Sequence, residues 1–162
     1  MMRAPLGDRR DEIRAIFQTG GVEPQRLDFV GVGSKQDYFE RYHRVDICLD
    51  PTPFSGHTTS FDILWMGVPV VTLAGSMPVG RSGVSFLSNV GLTELIAHTP
   101  EEYVSIAAKL AGDLLKLAEL RAGLRDRVLA SPLVDAKGYA RDTEAAYRQM
   151  WQAWCKQKIA GS

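Results

Sequence analysis

The residues best suited to chemistry lie in one stretch, Asp50-Pro-Thr-Pro-Phe-Ser-Gly-His-Thr-Thr-Ser-Phe-Asp62. It follows the short apolar run Asp46 to Leu49 and precedes a helical pattern from Thr58 to Met66. Two prolines and a glycine make Asp50 to Gly56 a loop. Gly56 lets backbone approach a ligand closely. His57, Thr58 and Thr59 fall at the helix start, where unpaired N–H groups and the positive end of the helix dipole favour an anion. The two threonine hydroxyls add donors. Asp62 lies four residues after Thr58, on about the same face one turn in, and a carboxylate there suits ribose hydroxyls better than a phosphate. Together the pattern fits a nucleotide diphosphate with its ribose over Asp62. The plainer alternative is ordinary helix capping by Thr, with Asp62 as a dipole partner.

A second stretch, Gly31-Val-Gly33-Ser-Lys-Gln36, also sits between a strand pattern and a helix pattern. It resembles the start of G-x-G-x-x-G, with Asp50 placed downstream as a ribose-binding acid. Gln36 replaces the third glycine, and a plain strand-to-helix turn is the simpler reading. Lys35 and Arg41 on the following helix could reach the same cleft edge as Thr58.

These residues need a frame. Leu27 to Val32, Asp46 to Leu49, Val68 to Leu73 and Glu94 to Ala97 read as about four short strands. Helical patterns separate them: Asp11 to Thr19, with Ile13, Ile16 and Phe17 on one face, Ser34 to Arg44, Thr58 to Met66 and Arg81 to Val90. Three more follow. One opens at Pro100 with Tyr103, Ile106, Ala107 and Leu110 on a face; one carries Leu117, Leu120, Leu124 and Val128; the last runs from Lys137 to Lys158. In that last helix Tyr139, Tyr147, Met150, Trp151 and Trp154 form a stripe, read as core or as a surface that docks on a partner lobe. Strands alternating with helices predict an α/β fold, a Rossmann-like parallel sheet with helices on both faces. The chain starts on a helix pattern where such folds start on a strand, so the expectation is that the first strands are lacking.

Composition sets limits. The chain has 162 residues, 45% hydrophobic and 23% charged, which suits one domain with one core. Lys plus Arg and Asp plus Glu both number 19. A broad grip on nucleic acid or an anionic membrane is not expected from that balance. The two cysteines, Cys48 and Cys155, have no metal-ligand spacing, nor do His43, His57 and His98. No apolar run approaches the roughly 20 residues of a membrane span. The N-terminus has no signal-like apolar segment, so a cytoplasmic location is expected. There is no G-x-x-x-x-G-K-[ST] and no G-x-S-x-G, which disfavours a phosphate-loop NTPase and an α/β-hydrolase.

VDICLDPTPFSGHTTSFDILWMGVPVVTL closely resembles the signature of the C-terminal catalytic lobe of O-linked N-acetylglucosamine transferases. The likeness continues through Arg81, VGLTELIA, EEYVSIAAKLAGD and LRDRVLASPLVDAKGYARDTEAAYRQMWQAW. The resemblance implies the C-terminal lobe of a B-type glycosyltransferase, which binds the UDP of UDP-N-acetylglucosamine without a metal or other cofactor. It implies that His57, Thr58 and Thr59 hold the pyrophosphate and that Asp62 contacts the ribose. Lys35 and Arg41 would contact ribose and uracil, and backbone near Gly33 the base. The family's usual histidine beside the uracil is replaced by Tyr38, which can also stack on a base. The reaction implied is transfer of N-acetylglucosamine to Ser or Thr of a protein. The whole chain, residues 1–162, then reads as a partial UDP-sugar-binding lobe. The acceptor would be presented by an N-terminal lobe and repeats missing from it, and helix 137–158 would dock on that lobe. No catalytic residue is assigned, and the chain alone is expected to be inactive. The other readings are a non-catalytic or truncated nucleotide-binding module, and an NAD-type Rossmann domain using Gly31, Gly33 and Asp50.

Overall fold

The computed structural model describes residues 2–3 and 7–160, with side chains from 7 to 157. The chain divides into two compact units, residues 1–46 and 47–162.

In the first unit, strand β1 (Met2–Arg3) pairs in parallel with β2 (Phe29–Val30). Between them runs helix α1 (Asp8–Thr19), ended by Gly20 and by Gly21 at φ 80°. The sequence pattern did not anticipate β1, because two residues are too few to show a period. Ile13 on α1 is half-buried, but Ile16 and Phe17 are exposed, since a two-stranded ribbon offers little surface to cover them. Arg10 and Arg14 instead lie over the Phe29 ring, 5.5 and 5.0 Å from its centroid. Helix α2 (Lys35–Glu40) is shorter than the pattern predicts; Arg41–Arg44 continue as a 3-10 turn.

The second unit holds a parallel sheet of order β3 (Cys48–Asp50), β4 (Val70–Leu73), β5 (Ile96–Ala97). Cys48, Leu49 and Asp50 stand opposite Val70, Val71 and Thr72, and Thr72 and Leu73 opposite Ile96 and Ala97. Central β4 is almost wholly buried, which explains its unbroken apolar run. Helix α3 (Thr58–Trp65) leads from β3 to β4. Gly67, at φ 76°, turns the chain out of it, and Val68 N–H closes the turn on Ile63 O at 3.1 Å. Helices α4 (Ser82–Asn89) and α5 (Pro100–Gly112) pack on β4, and α6 (Leu114–Leu129) packs along α3.

The core is Leu64, Val68, Val70, Val71, Leu87, Leu92, Leu124 and Val128. The apolar faces predicted for α5 and α6 point inward: Leu110, Leu117, Leu124 and Val128 are buried. Thr93–Leu95 is a 3-10 turn rather than strand, leaving only Ile96–Ala97 in the sheet.

Helix α7 (Ala136–Ala160) departs from the core reading. Tyr139, Tyr147 and Met150 are exposed, and Trp151 and Trp154 keep 62% and 51% of their surface. The two indoles stack on each other at 5.2 Å rather than on the sheet. Among the described residues no helix is long and apolar enough to cross a membrane.

Candidate functional site

Helix α3 starts at the carboxyl edge of the parallel sheet, one loop after β3, the edge where open α/β folds bind ligands. Its N-cap is His57, whose side chain makes no capping bond. The first amide taken up by the helix is that of Phe61, which donates to His57 O at 3.1 Å. His57, Thr58 and Thr59 are exposed and Asp62 is half-buried. Thr58 and Thr59 lie inside the helix rather than at its N-cap. The His57 side chain does not close this helix start, and the first N–H groups of a helix are where an anion is favoured.

The loop before it is tightly held. Asp50 Oδ1 accepts from Gly56 N–H at 2.7 Å. Asp50 Oδ2 accepts from the hydroxyls of Ser55 at 2.6 Å and Thr72 at 2.7 Å. Ser55 Oγ in turn accepts from Gly83 N–H, at the start of α4, at 2.9 Å. Asp50 is 6% exposed, Ser55 2% and Thr72 fully buried. A buried carboxylate costs stability unless it is hydrogen-bonded, and three donors meet that need here.

The next loop is tied in as well. Ser55 N–H donates to Val79 O at 3.2 Å, Gly75 N–H to Gly80 O at 2.9 Å, and Arg81 Nη1 to Gly75 O at 3.0 Å. A cavity of about 390 Å³ lies among the ends of the three strands, lined by Thr52, Pro53, Leu73, Ala74, Gly75, Ser76, Met77, His98 and Pro100. A larger cavity, about 470 Å³, is lined by residues that precede β5 and by α5 and α6. Neither cavity is lined by His57, Thr58 or Thr59.

Lys35, Tyr38 and Arg41 belong to the first unit. Lys35 is exposed at the start of α2. Arg41 Nη1 donates to Gly31 O at 2.7 Å, and its guanidinium lies so close over Gly33 that a β-carbon there would be 2.6 Å from Nη2. Tyr38 is half-buried, edge-on to Phe39 and Tyr42 at 5.1 and 5.2 Å. Gly33, Lys35 and Arg41 thus share one loop and the helix it feeds.

The start of α2 contrasts with that of α3. Ser34 Oγ accepts from Asp37 N–H at 3.1 Å, and Asp37 Oδ2 accepts from Ser34 N–H at 2.9 Å, a reciprocal capping box. The Ser34 hydroxyl and amide, with a smaller part from Arg41, hold the Asp37 carboxyl below its usual range. An ionised carboxylate already fills this helix start, where a dinucleotide's pyrophosphate would have to sit. With Asp50 buried and engaged by three donors, the NAD-type alternative loses both its phosphate seat and its ribose acid.

Two half-buried side chains, Cys48 and Tyr103, feel the charge of Asp50. Burial, with Asp50 adding, pushes the Cys48 thiol up to about 11. The Tyr103 hydroxyl is buried without a partner, and burial, with Asp50 and Cys48 adding, pushes it up to about 12. Among the described residues no group of three His, Cys, Asp or Glu side chains could hold a metal ion.

Comparison with known proteins places this geometry. Residues 1–143 match the model of glycosyl transferase family 41. A probable UDP-N-acetylglucosamine–peptide N-acetylglucosaminyltransferase SPINDLY of Oryza sativa is 43% identical over 150 residues, covering 90% of this chain and 16% of that protein. The UDP-N-acetylglucosamine–peptide N-acetylglucosaminyltransferase of Caenorhabditis elegans is 38% identical over 144 residues, covering 89% and 12%. A mutant O-GlcNAc transferase of Thermobaculum terrenum superposes with a TM-score of 0.84 at 38% identity, covering 91% of this chain and 28% of that one. The chain belongs to glycosyl transferase family 41. Its fold is the Rossmann-like α/β arrangement of the catalytic lobe of B-type glycosyltransferases. It spans about a sixth or less of the length of these curated relatives.

Proposed function

We propose that this chain is the UDP-sugar-binding C-terminal part of a protein O-GlcNAc transferase. The observation that carries the proposal is the start of α3 at the carboxyl edge of the sheet, where the N-cap His57 makes no side-chain capping bond. His57, Thr58 and Thr59 hold the pyrophosphate, and Asp62 takes the ribose hydroxyls. Lys35 and Arg41 reach ribose and uracil, and Tyr38 lies against the base. No metal is needed, because helix amides and hydroxyls neutralise the diphosphate.

In the reaction, a Ser or Thr hydroxyl of the acceptor protein bonds through its oxygen to the sugar's anomeric carbon and gives up its proton to a base or to water, as the bond to the β-phosphate oxygen breaks and UDP departs. The charge that builds on the departing UDP meets the N–H groups at the start of α3, which are already oriented and need no rearrangement. The acceptor protein is presented by an N-terminal lobe and repeats, which also supply the rest of the machinery. The aromatic stripe of α7 docks on that N-terminal lobe, which accounts for the exposure of Trp151 and Trp154. A reducing, cytoplasmic setting suits the two free cysteines.

Calorimetric titration of the purified chain with UDP and with NAD tests the reading. UDP binds and NAD does not, and sugar transfer to peptide by this chain alone is undetectable. NAD binding in place of UDP contradicts the site, and transfer by the isolated chain contradicts the division of labour.

A further inference from the structure

We propose that Asp50 is a positioning residue for the anion seat, acting through Gly56. The ligand part of this inference rests on the function proposed above. Gly56 immediately precedes the N-cap His57, and its N–H is fixed on Asp50 Oδ1. That bond sets the direction from which the chain enters α3. Asp50 also receives Thr72 from β4 and, through Ser55, the start of α4. One carboxylate therefore registers three successive elements at the carboxyl edge.

The chemistry requires an acceptor where Asp50 Oδ1 stands. Gly56 N–H cannot rotate to find another. Ser55 Oγ already accepts from Gly83, so its own hydrogen points to Asp50. An asparagine offers one acceptor oxygen and a donating NH2. Its oxygen can stay on Gly56 while the hydroxyls of Ser55 and Thr72 turn to accept from the NH2, so the amide can preserve the Gly56 bond, whereas alanine leaves Gly56 N–H without an acceptor. Space is equally fixed: a β-carbon on Gly56 would strike Ser60 Oγ, in the first turn of α3. The loop cannot relax toward the helix to restore the lost bond.

The test compares 15N-labelled full chain with its Asp50→Ala and Thr72→Val variants. Thr72→Val removes a hydroxyl from the same buried network but leaves the Gly56 bond intact, so it controls for stability alone. In Asp50→Ala, without ligand, Gly56 amide exchange rises at least tenfold and the resonances of Gly56 to Ser60 move, while β4 amides hold. UDP affinity falls at least tenfold. In Thr72→Val both readouts stay within threefold of the wild type. Unchanged Gly56 exchange in Asp50→Ala, or equal disturbance in Thr72→Val, overturns the proposal. If the wild type does not bind UDP, the proposed function fails, and the ligand-free resonances still decide whether Asp50 sets the helix start. If Asp50→Ala does not fold, the coupling across the hydrogen bond between Gly56 N and the Asp50 carboxyl carbon decides in the wild type. Its detection supports the positioning role, and its absence overturns it.

Discussion

Gly83 stands so close to Asp50 that a β-carbon on it would lie 2.5 Å from Asp50 Oδ2 and would also strike Thr72 Oγ1. The backbone of α4 is thus pressed against a buried carboxylate, and only glycine fits. Gly83→Ala is expected to destabilise the chain by about 2–3 kcal/mol, from overpacking and from loss of the Ser55 bond. Urea unfolding of wild type and variant checks this. An unchanged midpoint would show that the contact is looser than described.

Asp62 is assigned to the ribose, and the assignment has its own signature. Wild-type chain should bind UDP more tightly than its 2′,3′-dideoxy analogue by about tenfold, roughly 1.4 kcal/mol. Asp62→Ala should bind both equally. Calorimetry with both ligands on both proteins measures the coupling. If the variant retains the discrimination, another group reads the ribose.

Alkaline pH should weaken the fold. The Cys48 thiol ionises near 9.0 when exposed and about 11 when folded. The unfolded chain therefore loses its proton first, and stability present below about pH 9 drains away as pH rises toward 11. The loss approaches ~2 kcal/mol from this group. Tyr103, raised from 10.0 to about 12, adds a loss of the same sign at higher pH. Melting curves from pH 8 to 11 should show the decline, and Cys48→Ala should flatten its lower part. A melting temperature that rises across that window contradicts the burial of both groups.

Tyr103 carries a buried hydroxyl without a hydrogen-bond partner. Removing it leaves no donor unpaired, so Tyr103→Phe should keep the chain's stability or raise it by about 1 kcal/mol. A loss of more than that in thermal unfolding would reveal a partner for the hydroxyl.

Much of this was legible from residue types. Gly67 and Pro69 marked the end of α3, Ser34 the capped start of α2, and the run Val68 to Leu73 the buried central strand. What escaped were relationships across distance. Asp50 meets Thr72, 22 positions on, because parallel strands stand side by side, and Ser55 meets Gly83, 28 positions on, because α4 packs over the same edge. Periodicity carries no trace of such pairings. The core reading of the α7 stripe failed for a different reason. An apolar stripe at helical spacing states that a face is to be covered, not which surface covers it. The two-residue strands β2 and β5 showed through the apolar runs around them, whereas β1, Met2–Arg3, sits in no such run.

The central claim is that the amides at the start of α3 seat a diphosphate. Amide resonances of the 15N-labelled chain, followed while UDP and then uridine are titrated in, test it most directly. UDP should shift Thr58, Thr59 and Ser60 strongly, and uridine, lacking phosphate, should leave those three in place. If UDP leaves them unmoved, or uridine moves them as far, the diphosphate does not sit there.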